Sequence, residues 1–174
     1  VEARDVSGLI VTPGLIDMHT HVYWGVTSLG IDAEDFCRKS AVTTAIDTGS
    51  AGPGNFAGFR KHVIEPSAVR ILAYLHISHA GIFGFSSRIM VGESEELRLM
   101  DPETAVEVAT ANRDLIVGIK VRLGRWASGW VGGSAALMVG GLVGLRGVVL
   151  VDWIALAALV VATIGHYARR GAGR

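Results

Sequence analysis

Short β-branched runs alternate with stretches patterned for helix, and this alternation restricts the chain's architecture more than any other feature. Strands are expected near residues 15–20 (LIDMHT), 42–47 (VTTAID), 70–77 (RILAYLHI) and 116–121 (IVGIKV). Between them, DAEDFCRKSA places acids first and bases last, which suits the helix dipole. FAGFRKHVIEPS sets Phe56, Phe59, Val63 and Ile64 at helical spacing and stops at Pro66. DPETAVEVATANRD opens with Asp101 as N-cap and Pro102 at the first helical position. Strands alternating with helices predict βα units, a parallel sheet and helices outside it. The reading over the first 129 residues is β-α-β-α-β-α-β. A further strand is expected upstream, because GLIVTPGLIDMHTHV reads as two apolar runs broken at Pro13-Gly14.

The first strand ends in chemistry. His19 and His21 are one residue apart, and residues i and i+2 of a strand point to the same face. Two imidazoles projecting together can reach one metal ion, and the carboxyl ends of strands are where βα barrels form active sites. A polar strand end is the plain alternative. Asp17 alternates onto the same face, where it supports the histidines or caps the strand. Asp47 hydrogen-bonds in the same mouth or caps a turn. His76 and His79 close the third strand and either line a pocket or face solvent. His62, among charges in mid-helix, reads as a surface residue, and Cys37 as a small buried filler. GSAGPGNFAG lacks the spacing of a phosphate loop.

Composition enters at two points. Net charge is zero with no basic run to track a phosphate backbone, so no nucleic-acid partner is expected. A single cysteine excludes an intramolecular disulfide and makes a reducing, cytoplasmic setting the expectation. The average also hides a seam. All four prolines and five of the six histidines lie before residue 130, whereas 130–174 has no lysine, glutamate or proline and nine of the 23 glycines. We therefore divide the chain into 1–129, the βα part, and 130–174, an apolar tail expected to be mainly helical. Residues 147–165 reach the about 17–25 residues of a membrane-spanning helix, but their insertion energy is marginal with Asp152 inside. The tail is open to four readings: a cover for the sheet, a frameshifted or truncated product, a membrane span, or an accidental run of small apolar residues.

Taken in order, VTPGLIDMHTHVYWG, AVTTAIDTGSAG, FRKHVIEPSAVRILAYLHIS and LIVGIKVRLGRWASG resemble the amidohydrolase superfamily. More narrowly they resemble its amidohydrolase/deacetylase metallohydrolases, relatives of dihydroorotase and D-aminoacylase. The resemblance runs from about Gly8 to about Gly129. It implies the first four units of a (β/α)8 barrel of TIM type, with one or two divalent ions, zinc by preference, at its mouth. It also implies that His19 and His21 bind metal and that Lys120, carboxylated by CO2, bridges the ions. The implied reaction is hydrolysis of an amide, imide or ester in a small molecule, of the N-acyl deacetylase type, by metal-activated water. The family draws two more histidines from strands 5 and 6 and an aspartate from strand 8. None is recognised after Gly129: His166 and Asp152 lack the family settings, so no catalytic acid or base is assigned. The chain is accordingly expected to turn over substrate poorly by itself. A non-catalytic remnant and a membrane-anchored protein of the same ancestry are the alternatives.

Overall fold

The computed structural model describes residues 3–122, apart from positions 87, 90, 92 and 95. Four strands form one sheet, β1 (Leu15–Thr20), β2 (Val42–Thr48), β3 (Arg70–His76) and β4 (Ile116–Lys120). All neighbours are parallel and the spatial order is the chain order. Between successive strands come α1 (Ala33–Arg38), α2 (Phe56–Phe59) and α3 (Pro102–Ala111). This is the expected alternation, with strand ends within one residue of expectation. Four parallel strands in sequence order with helical crossovers are the first four units of a (β/α)8 barrel.

The helices begin where the sequence provides caps. Asp32 accepts from the Asp35 amide at 2.8 Å, with Glu34 and Asp35 in the first turn and Arg38 in the last. Asp101 accepts from the Thr104 amide at 3.1 Å, one residue before Pro102. The middle segment departs from a plain α-helix, since α2 runs on as a π-helical turn over Arg60–Ile64. There the Glu65 amide reaches back five residues to the Arg60 carbonyl at 2.9 Å. The wider turn brings Ile64 round to the side of Phe59, and both are buried.

Period-two alternation divides the sheet's faces. Ile71, Ala73, Leu75 and Ile77 pack with Phe56, Phe59, Ala105 and Ala109 in one core on the helical side. Burying each phenylalanine contributes roughly 1.5–3 kcal/mol. The intervening Tyr74 and His76 look to the other face, and so does Lys120, the register partner of His76.

The expected upstream strand does not form. Residues 9–14 have no strand conformation, and Leu9, Ile10 and Val11 are 70%, 92% and 72% exposed. The Leu9 amide closes a turn onto the Val6 carbonyl instead. An apolar run becomes a strand only where a neighbour takes its amides and carbonyls, and among the described residues β1 pairs with β2 alone. Among these residues no helix is long and apolar enough to cross a membrane. The expectations for 130–174, including the 147–165 span, lie outside the described residues.

Candidate metal centre

Parallel strands in register deliver their carboxyl ends to a common rim, and the chemistry gathers there. His19 lies near the end of β1 and His21 just beyond it. Their rings are 5.6 Å apart and nearly perpendicular, so both project to the same side. His19 is exposed and His21 half-buried. Lys120 ends β4 with only 4% of its surface exposed. Burial first, then the neighbouring His19 and Lys120, hold His21 down to about 4. It is therefore a neutral imidazole at pH 7, the protonation state that can ligate. His19 and Lys120 are thus each within electrostatic reach of His21.

Gly49, at φ +84°, passes under Lys120 and the neighbouring His76. A Cβ there would lie 2.7 Å from Lys120 Cγ and 2.9 Å from His76 Cδ2. Only glycine lets the backbone leave β2 so close under both side chains.

The other residues singled out in the sequence fall into place around this rim. Asp17 Oδ1 accepts from the His19 backbone amide at 3.0 Å, so this carboxylate fixes the strand. Asp47 is fully buried and accepts from the Val22 amide at 2.7 Å and the Ser50 amide at 2.8 Å. Burial pushes its carboxyl up to about 6, against the hydrogen bonds from Ser50 and Val22. His79 is exposed and lies 3.2 Å from the Asp101 carboxylate, outside the rim cluster. His62 is also exposed, on the wall of a surface cavity of about 370 Å³ shared with Tyr23 and Trp24. Cys37 is buried in the core, as expected.

His76 is fully buried on the rim beside Lys120. Its Nδ1 accepts from the Ser78 amide at 2.9 Å, so the ring proton sits on Nε2. A protonated Nε2 cannot ligate a metal ion, and the ring is a donor. It faces the buried Glu93 carboxylate at 3.7 Å, longer than a hydrogen bond. Burial works to raise the Glu93 carboxyl, but His76 and Arg122 outweigh it and hold the group at about 2. Glu93, Arg122 and Ser50 were not singled out in the sequence. Ser50 had a signal, the polar DTGS turn at the end of β2. Glu93 had none, lying among charges in the long connection before α3.

Among the described residues no three or more His, Cys, Asp or Glu side chains group closely enough to hold a metal by themselves. The capacity of the rim for a metal ion therefore turns on Lys120. Two neutral imidazoles fit one divalent ion of the zinc class. An ammonium does not, whereas a carbamate on the same stem would supply an oxygen ligand and would replace a cation that opposes the site with an anion that favours it.

No family model matches the chain. It is 38% identical over 122 residues to a deacetylase of Brucella anthropi and 36% identical over 118 residues to a deacetylase of Agrobacterium fabrum. Those matches take in 70% and 68% of this chain but only 30% and 28% of the relatives' lengths. A crystal structure of a dihydroorotase aligns at TM-score 0.71 and 33% identity, over 79% of this chain and 43% of the other. An adenine deaminase structure aligns at TM-score 0.67 and 22% identity over 79% of this chain and 36% of the other, a likeness of fold.

Proposed function

Because the chain belongs to the amidohydrolase superfamily, we propose that its described residues form part of the rim of a metal-dependent hydrolase. The substrate is a small molecule with an acyl, amide or imide group, in keeping with relatives named deacetylases. The observation that carries this reading is His21. It is held neutral at physiological pH, with His19 edge-on beside it and the buried Lys120 within electrostatic range.

In this reading His19 and His21 hold a divalent ion, with zinc the best match to imidazole donors. Lys120, converted to a carbamate by CO2, joins them. When bound, the ion supplies Lewis acidity at the substrate carbonyl and lowers the pKa of its water. The chain's own residues prepare the place. Gly49 leaves room for the Lys120 stem, Asp17 fixes the His19 backbone, and His76 presents an N–H rather than a lone pair. Losing the ammonium relieves a repulsion that His21 already registers. The two parts of the chain, 1–129 and 130–174, are proposed as barrel portion and tail, in the cytoplasm or, through the tail, at a membrane.

The test is metal analysis of the purified chain after loading with zinc and carbon-13-labelled bicarbonate. Bound zinc that is lost in His19→Ala and His21→Ala, with a carbamate carbon signal lost in Lys120→Ala, is the expected result. Wild-type protein that retains no zinc sinks the metal reading and favours the non-catalytic remnant. Hydrolysis of N-acetyl amino acids, dihydroorotate-like imides and acyl esters by the same samples tests the expectation of poor turnover.

A further inference from the structure

The surface cavity beside His62 and Trp24 has no part in the metal reading, and its walls have a chemistry of their own. Its volume of about 370 Å³ falls within the about 300–1,000 Å³ of small-molecule sites. Three parts of the chain build it: the turn after β1, the start of α1, and the π turn with Pro66 and Ser67 beyond it. Two contacts tie these walls together. Glu34 of α1 accepts from the Ala68 amide at 2.9 Å, and the Tyr23 ring stacks on Phe59 with centroids 4.6 Å apart. The cavity is therefore part of the fold rather than the result of one side chain's rotation.

Its lining is apolar below, aromatic at the side and acidic at one wall. Val22 and Ala33 are buried, and Val63 is half-buried. Tyr23 and Trp24 supply the aromatic surface, and Trp24 is 71% exposed. Asp32 and Glu34 bring two carboxylates, and none of the described lining residues is a lysine or arginine. Asp32 Oδ1 accepts from the Asp35 amide, which leaves Oδ2 without a hydrogen bond among the described residues. Glu34 faces Arg38 at 3.7 Å, but both side chains are solvated, and such pairs contribute little. The start of α1 opposes with the positive end of the helix dipole, yet about half an elementary charge does not cancel two carboxylates. A carboxylate pair beside an indole and a phenol ring favours a cation, which the ring faces attract as well.

We propose that this cavity binds a small organic cation, an ammonium group on an apolar or aromatic body. Asp32 and Glu34 take the charge, Trp24 and Tyr23 lie against the cation or its body, and Val22, Ala33 and Val63 receive the apolar part. The site is separate from the metal centre, so its test needs no zinc and its failure leaves the metal reading untouched.

The experiment titrates the metal-free full chain with phenethylammonium, followed by saturation-transfer and nitrogen-15 NMR. The neutral 2-phenylethanol and the anionic 3-phenylpropionate carry a similar body and serve as comparisons. Saturable binding of phenethylammonium is expected, with the alcohol weaker by about fivefold and the anion not bound. Trp24→Ala should weaken phenethylammonium by about 2–5-fold. Asp32→Asn should weaken it by a similar about 2–5-fold while keeping the α1 cap. Both variants should melt with the wild type, since Trp24 stands mostly in water and asparagine caps a helix as aspartate does. Absence of saturable binding to wild type overturns the proposal, as does alcohol binding equal to that of the cation. Unchanged phenethylammonium affinity in both variants also overturns it, because binding would then lie elsewhere.

Discussion

Replacing Gly49 by alanine isolates the close approach under Lys120, because the fold contains its own control. Gly49 and Gly25 share φ +84°. A Cβ at Gly25 meets nothing within 4 Å, whereas at Gly49 it comes to 2.7 Å from Lys120 Cγ, 3.1 Å from Lys120 Cβ and 2.9 Å from His76 Cδ2. Gly25→Ala therefore carries the backbone term alone, about 1–2 kcal/mol for an L-residue in the left-handed region. Gly49→Ala adds steric overlap. Carbon contacts are comfortable at about 3.5–4.0 Å, so these neighbours must retreat by close to an ångström. His76 is wedged by its bond to Ser78 and cannot move cheaply, and Lys120 has little free surface. Overpacking of this kind costs about 1–3 kcal/mol, giving a total of about 2–5 kcal/mol for Gly49→Ala. Urea denaturation with the slope held equal should show Gly49→Ala less stable than Gly25→Ala by about 1–3 kcal/mol. Equal losses would refute the packing argument, since only the shared backbone term would remain.

Three further outcomes follow from single contacts. Asp101→Ala removes the α3 cap to Thr104 and should cost about 0.5–2 kcal/mol in chemical denaturation. Asp47 has its folded pKa raised above the unfolded value, so its contribution is fullest below about pH 4 and is lost as pH rises to about 6. Two units correspond to about 3 kcal/mol, and the wild-type minus Asp47→Asn stability difference should change over that window and level off above it. Asparagine, like the protonated acid, carries no charge to desolvate, so Asp47→Asn should gain on wild type by up to about 3 kcal/mol between about pH 4 and above pH 6 in chemical denaturation.

The fold was legible because its information is local and periodic. β3 states the fold in miniature: Ile71, Ala73 and Leu75 alternate with Leu72, Tyr74 and His76, one set for the helices and one for the rim. Caps did the same for α3, where Asp101-Pro102 fixed the first turn before any packing was known. The upstream strand misled because apolar character at residues 9–11 says nothing about whether a partner strand lies beside them. The π turn at Arg60–Ile64 was equally hidden, and so were the side-chain bonds that tie its first residue, Arg60, to Glu65, Asn112 and Asp114.

The candidate site divides along the same line. His19 and His21 could be paired from sequence because strand geometry makes i and i+2 neighbours. Lys120 could be added only by resemblance, since nothing local ties a residue to one about a hundred positions away. Asp47 shows where reading by residue type fails. An aspartate ending a strand invites assignment to the mouth or to a turn, and here the carboxylate does both, taking the Ser50 amide of its own turn and the Val22 amide of the neighbouring strand end. The second bond exists only because parallel register sets Thr20 against Asp47. A one-residue slip of β1 on β2 would carry the Val22 amide away from this carboxylate, while the local bond to the Ser50 amide would remain. The geometry of the rim is therefore written in the register of β1 on β2, not in the identity of its histidines.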